Sequence, residues 1–120
     1  MHNIIIYEDK NGESEIEKYL HGLSIKNDKD SRIKYNKIIA YVRILKKNGL
    51  NIGEPFIKHL DAEIWELRPI RDRILFASLY NNKFILLNVF VKKSQKTPRS
   101  EIEKAKRLLE DYKKRSDENE

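Results

Sequence analysis

Residues 73–80 and 84–91 are two nearly uninterrupted apolar runs separated by a turn at Asn81-Asn82. Asparagine tolerates the positive φ that a tight hairpin demands, so the pair predicts a β-hairpin. Strands that are apolar on both faces belong in the middle of a sheet covered on at least one side. Just upstream, residues 64–68 alternate: Trp65 and Leu67 face one side, and Ile64, Glu66 and Arg68 the other. Pro69 cannot donate to a ladder and closes that strand.

The flanking sequence supplies the remaining elements. Residues 3–7 are rich in isoleucine and end at the turn residues Asp9-Lys10-Asn11-Gly12, which predicts a first strand. Ser14 and Glu17 have the spacing of a capping box, and Ile16, Tyr19, Leu20 and Leu23 follow on one helical face. A break at Asn27-Asp28 precedes a second helix, expected to start near Asp30 or Ser31. Its seam is Tyr35, Ile38, Tyr41, Val42 and Leu45, and Asn48-Gly49 ends it. Residues 56–60 are a candidate short strand before a turn at Asp61-Ala62. Thr97 is expected as the N-cap of a last helix, with Pro98 at its first position and Ile102, Ala105, Leu109 and Tyr112 as its seam. The order β-α-α-β-β-β-β-α predicts an α+β fold with a mostly antiparallel sheet packed against helices. Residues 1–115 are expected to form a single domain, and residues 116–120 a frayed acidic tail.

Charge is distributed unevenly along this frame. Residues 56–107 hold twelve basic and six acidic side chains, whereas residues 108–120 hold three and five. From Arg68 to Arg99 there are eight basic residues and one acid, Asp72. Such asymmetry favours nucleic acid or an acidic protein as partner over a neutral small molecule. There is no cysteine, so no disulfide or thiolate metal site, which suits a reducing cytoplasm. The three histidines, His2, His21 and His59, stand at no ligand spacing, and four glycines make neither a P-loop nor a dinucleotide fingerprint. Neither a metal nor a cofactor is expected. The first ten residues do not read as a secretory signal, and no apolar run approaches the roughly 18 residues of a membrane span.

The cations are therefore the expected machinery. Arg68 ends one strand and Arg73 begins the next, so the turn between them should hold both near one rim, either on an anion or in an ion pair with Glu66 or Asp72. Lys92, Lys93 and Lys96 extend from the last strand toward the helix. Arginine grips a phosphate with a planar fork and lysine supplies a movable point charge. Such a cluster suits RNA cleavage, where the 2′-hydroxyl is the nucleophile and the protein supplies orientation and charge stabilisation. His59 or a lysine would then help move the proton. Tyr7 and Tyr80, near strand ends, are the candidates for base stacking.

Residues 64–73 (Ile-Trp-Glu-Leu-Arg-Pro-Ile-Arg-Asp-Arg), residues 85–98 (Ile-Leu-Leu-Asn-Val-Phe-Val-Lys-Lys-Ser-Gln-Lys-Thr-Pro) and residues 101–105 (Glu-Ile-Glu-Lys-Ala) resemble the phage-type HigB toxins of the RelE/ParE superfamily. Residues 27–32 and 53–61 extend the likeness to the leading half of the chain. The resemblance implies a RelE-like fold and a cytoplasmic toxin of a type II toxin–antitoxin system. Such a toxin is a metal-independent endoribonuclease that cuts messenger RNA on the ribosome. It also implies a HigA-like helix-turn-helix antitoxin, through which the complex would bind operator DNA. The catalytic residues of this reading are Arg68, Arg73, Lys93 and Lys96, with RNA contacts from Lys58, His59, Arg71, Lys92 and Arg99. Many relatives have histidine where this chain has Asn88, which leaves the proton-transfer group open. Relatives of the same fold inhibit DNA gyrase, and a non-catalytic RNA-binding regulatory domain is the other alternative.

Overall fold

The computed structural model describes residues 1–118. Its elements are β1 (Asn3–Ile6), α1 (Glu15–Ser24), α2 (Lys29–Asn48), a 3-10 turn (Gly49–Ile52), β2 (Ile57–Asp61), β3 (Ile64–Leu67), β4 (Asp72–Leu79), β5 (Lys83–Val91) and α3 (Arg99–Glu118). The strands form one sheet in the order β1-β5-β4-β3-β2. Only β1 runs parallel to its neighbour, β5; the other three pairings are antiparallel.

Both faces of the sheet are covered, which is why β4 and β5 are apolar on both. On one face Ile16, Leu23, Ile38 and Leu45 of α1 and α2 pack on Ile57, Leu67, Ile74, Phe76, Phe84, Leu86 and Val89. On the other, Ala105 and Leu109 of α3 pack on Ile64, Leu75, Ala77, Ile85 and Leu87. Each such leucine, isoleucine, valine or phenylalanine, fully buried, contributes about 1.5–3 kcal/mol. Asn81 and Asn82 both take positive φ (64° and 57°), the geometry of the expected hairpin turn.

The caps follow local chemistry. Ser14 Oγ accepts from Glu17 N at 3.2 Å, and Asp28 caps α2 by accepting from Ser31 N at 2.9 Å, so α2 starts at Lys29, ahead of the expected Asp30 or Ser31. Gly49 ends α2 with φ 66°, and a Cβ there would lie 2.7 Å from His2 Cε1. Gly49→Ala therefore meets both an unfavourable φ and a clash. It is expected to cost about 1–3 kcal/mol, read as a lowered urea midpoint with unchanged slope.

The start of α3 departs from expectation. Pro98 is the residue whose carbonyl accepts the first helical bonds, from Glu101 N at 3.1 Å and Ile102 N at 3.4 Å. Thr97 does not cap the helix: its hydroxyl donates to Glu66 Oε2 at 2.6 Å. A buried carboxylate outbids the helix end for that hydroxyl, because it is the stronger acceptor. The helix also runs on to Glu118, into the stretch expected as tail; residues 119–120 lie outside the described residues.

β5 contains a bulge that matters for the site. Leu75 pairs with Asn88 and Phe76 with Leu86, which leaves Leu87 unpaired. Leu87 packs in the α3-side core and Val89 in the α1/α2-side core, so the bulge turns Asn88, between them, toward α3. Without it, strict alternation would send every side chain from Asn88 onward to the opposite face.

Candidate nucleic-acid interface

The site is built around a buried carboxylate. Glu66, in the middle of β3, is 2% exposed and lies on the α3 side, where it shares a cross-strand row with Leu75 and Asn88. Arg68 Nε lies 3.4 Å and Arg73 Nε 3.9 Å from Glu66 Oε1, and Thr97 occupies Oε2. One anion thus faces two guanidiniums, and the cluster keeps a net positive charge. Arg73 is 6% exposed; its Nη1 donates to the carbonyls of Ile70 (3.0 Å) and Asp72 (2.9 Å). Burial pulls its guanidinium below the usual arginine range, opposed by Glu66 and aided by Arg68. It remains a cation, since arginine does not deprotonate in proteins. Arg68 is half-buried, and its Nε has no hydrogen bond of good geometry.

The connection from β5 to α3 passes over this cluster. It leaves β5 beside Arg71, where Lys92 N donates to Arg71 O at 2.7 Å and Arg71 Nη2 to Lys92 O at 2.9 Å. It reaches Glu66, two strands away, at Thr97. Residues 92–97 therefore bridge the end of β4 where Arg73 begins. Lys93 and Lys96 are exposed on this bridge and Lys92 is half-buried; none of the three is in a salt bridge among the described residues. Lys58, opposite Glu66 on the edge strand and on the same face, is exposed and likewise without an ion pair. Exposed cations held apart from acids around a rigid arginine pair attract a polyanion.

The remaining candidates lie elsewhere or are engaged. His59 is on the opposite face, its ring 5.0 Å from that of Trp65 and its Nε2 donating to Ala62 O at 2.8 Å. Arg99 is drawn to the β2–β3 turn, 2.9 Å from Asp61 and 2.8 Å from Glu103. Lys106 and Arg99 together hold the Asp61 carboxyl below its usual range. Tyr7 is buried and donates to Asp111 at 2.5 Å, and Tyr80, 93% exposed, stands at the far end of β4. Neither tyrosine reaches the arginines.

Four residues that arrange the cluster and its surroundings were not among the expected catalytic or RNA-binding residues: Glu66 and Asp72, read only as ion-pair partners of Arg68 and Arg73, Thr97, read as an N-cap, and Asn88. Asn88 is fully buried and its Nδ2 donates to Glu101 Oε1 at 3.0 Å, tying β5 to the first turn of α3. Asp72 faces α1 and α2, accepting from the Tyr19 hydroxyl with Lys34 Nζ at 3.5 Å. Adjacent residues thus anchor β4 from its two faces, Asp72 to the helical hairpin and Arg73, on the α3 side, to Glu66 of the neighbouring strand. The signal for Glu66 and Asp72 was an acid inside a strand with two buried faces, which must find a cation or a donor. Among the described residues no group of three or more His, Cys, Asp or Glu is placed to hold a metal ion, and no helix is long and apolar enough to cross a membrane.

A model of the family described as phage derived protein Gp49-like (DUF891) matches residues 20–110. Among solved structures, the chain is similar to one from the archaeal RelE–RelB complex of Pyrococcus horikoshii OT3. The TM-score is 0.54 at 12% identity, over 76% of this chain and 94% of that one. The likeness shows a RelE-type α+β fold. No curated protein matches the chain.

Proposed function

Given that the chain belongs to the phage-derived Gp49-like family, we propose that it is the toxin of a type II toxin–antitoxin pair and cleaves messenger RNA. One observation carries this reading. Lys58, Lys92, Lys93 and Lys96 lie around an Arg–Glu–Arg cluster centred on a buried carboxylate, and none of the four is in an ion pair among the described residues. Cations are thus left uncompensated at one end of the sheet.

In the proposed reaction the RNA 2′-hydroxyl attacks the adjacent phosphorus, giving a 2′,3′-cyclic phosphate and a free 5′-hydroxyl. The 2′ proton passes to water, and a lysine ammonium protonates the departing 5′ oxygen. Arg68 and the lysines stabilise the charge that builds on the phosphorane oxygens, and Arg73, locked on Glu66, sets the position of Arg68. Donors fixed in advance by packing cost no reorganisation when that charge develops. Ribosome-bound message in the cytoplasm would be the substrate, as in the HigB-type toxins that the sequence resembles.

The similar archaeal RelE was solved in complex with RelB, which supports a protein partner here. A HigA-like helix-turn-helix antitoxin would cover the unpaired cations or pack beside them, and carry the complex to operator DNA.

Induced expression tests the reading. The expected result is rapid growth arrest with messages cut inside translated frames. Arrest with intact messages and an SOS response would replace it with gyrase inhibition, and unimpaired growth would remove both.

A further inference from the structure

The turn between β3 and β4 contains a residue that folding alone does not explain. Asp72 N donates to Pro69 O at 3.0 Å, so Ile70 and Arg71 are the central pair of this turn. Ile70 has φ 57°. Glycine takes that conformation freely, and a β-branched residue there is strained. Burial offsets only part of the strain, because Ile70 is 49% exposed. The carbonyl of Ile70 serves Arg73 at 3.0 Å, but any residue, glycine included, would supply a carbonyl. What glycine would lack is the side chain of this half-exposed residue, with Arg68, Arg71 and Arg73 close by in the chain. A strained residue whose apolar side chain is left half exposed points to a contact outside the fold.

We propose that Ile70 is a specificity-determining residue that packs against a nucleobase of the RNA strand held by Arg68, Lys93 and Lys96. The proposal rests on the RNA-cleaving reading above and adds to it the base contact that the tyrosines do not provide. Sequence-selective RNA recognition acts on unstacked bases, which offer an apolar face to any side chain that meets them. The surrounding charge favours a nucleic acid over an apolar protein surface: Arg71 is tied to the Lys92 carbonyl, so cations border Ile70 in sequence and across the strands.

Ile70→Gly removes the side chain, accepts the positive φ and keeps the carbonyl for Arg73. Two labelled single-stranded oligoribonucleotides of equal length, one ordinary and one with abasic ribose at every position, serve as probes in fluorescence anisotropy. Thermal melting of both proteins is recorded alongside. The expected result is a melting temperature unchanged or raised, affinity for the ordinary strand down about tenfold, and affinity for the abasic strand unchanged. Equal losses on both strands, no loss on either, or a clear fall in melting temperature would overturn the role of Ile70 while leaving the RNA reading intact. A wild-type chain that binds neither strand would overturn the Ile70 contact, whereas the RNA-cleaving reading, placed on ribosome-bound message, falls only on the induced-expression test.

Discussion

Glu66→Ala is expected to lower stability by about 3–5 kcal/mol, the usual cost of removing one partner from a buried charge cluster. At a few degrees per kcal/mol for a chain of this size, the melting temperature should fall by more than about 10 °C. The cost arises because Arg73, 6% exposed, would be left with two backbone carbonyls and without its ion-pair partner, and Thr97 would lose its acceptor. The same logic revises what the sequence implied for Arg73. Read as an anion-gripping side chain, it should be removable with loss of toxicity and an intact fold. Buried against Glu66, it is expected to destabilise the chain when replaced by alanine, so lost toxicity in Arg73→Ala must be read beside its melting curve. Replacing Glu66 by Leu and Arg73 by Met together should recover much of the stability, since a packed apolar pair matches or exceeds a buried ion pair. Unfolding of Glu66→Ala within about 1 kcal/mol of wild type would show that the cluster does not hold this end of the sheet.

The second large effect falls on activity. Lys93→Ala combined with Lys96→Ala is expected to reduce RNA cleavage by about 10²–10³-fold, the range for losing a preorganised donor to the transition state. Both side chains are exposed and outside every ion pair found among the described residues, so stability should stay within about 0.5 kcal/mol of wild type. Arg68→Ala should act in the same direction, with a modest stability loss from its contact to Glu66 at 3.4 Å. Single-turnover cleavage of message on programmed ribosomes, with urea unfolding of each variant, separates the two effects. Full growth arrest by the double lysine variant would remove the bridge between β5 and α3 from the site.

Much of the fold was legible because it is specified by neighbours in sequence. The Ser14 cap, the Asn81-Asn82 turn, the α2 seam through Ile38 and Leu45, and the apolar runs of β4 and β5 all rest on interactions within a few residues. The site was less legible. His59 and Arg99 are basic residues in the right part of the chain, yet one is turned to the far face by alternation along β2 and the other is taken by Asp61 and Glu103. Thr97 has the sequence of an N-cap and serves a carboxylate 31 residues away. For Arg99 and Thr97 an acid distant in sequence, Asp61 or Glu66, entered beside the local partners, whereas for His59 the alternation of β2 decided.

The amino-acid sequence by itself determined the element order, the two-sided burial of the central hairpin and the surplus of cations between Arg68 and Arg99, since composition and periodicity act locally. Only the tertiary structure decided which cations remain unpaired and which way the end of β5 faces. Pairing depends on which acids the sheet brings alongside, as Glu66 meets Arg68 and Arg73. Facing depends on the unpaired Leu87: that single extra residue reverses every side chain after it, and no local pattern in Leu-Leu-Asn-Val-Phe marks where it falls.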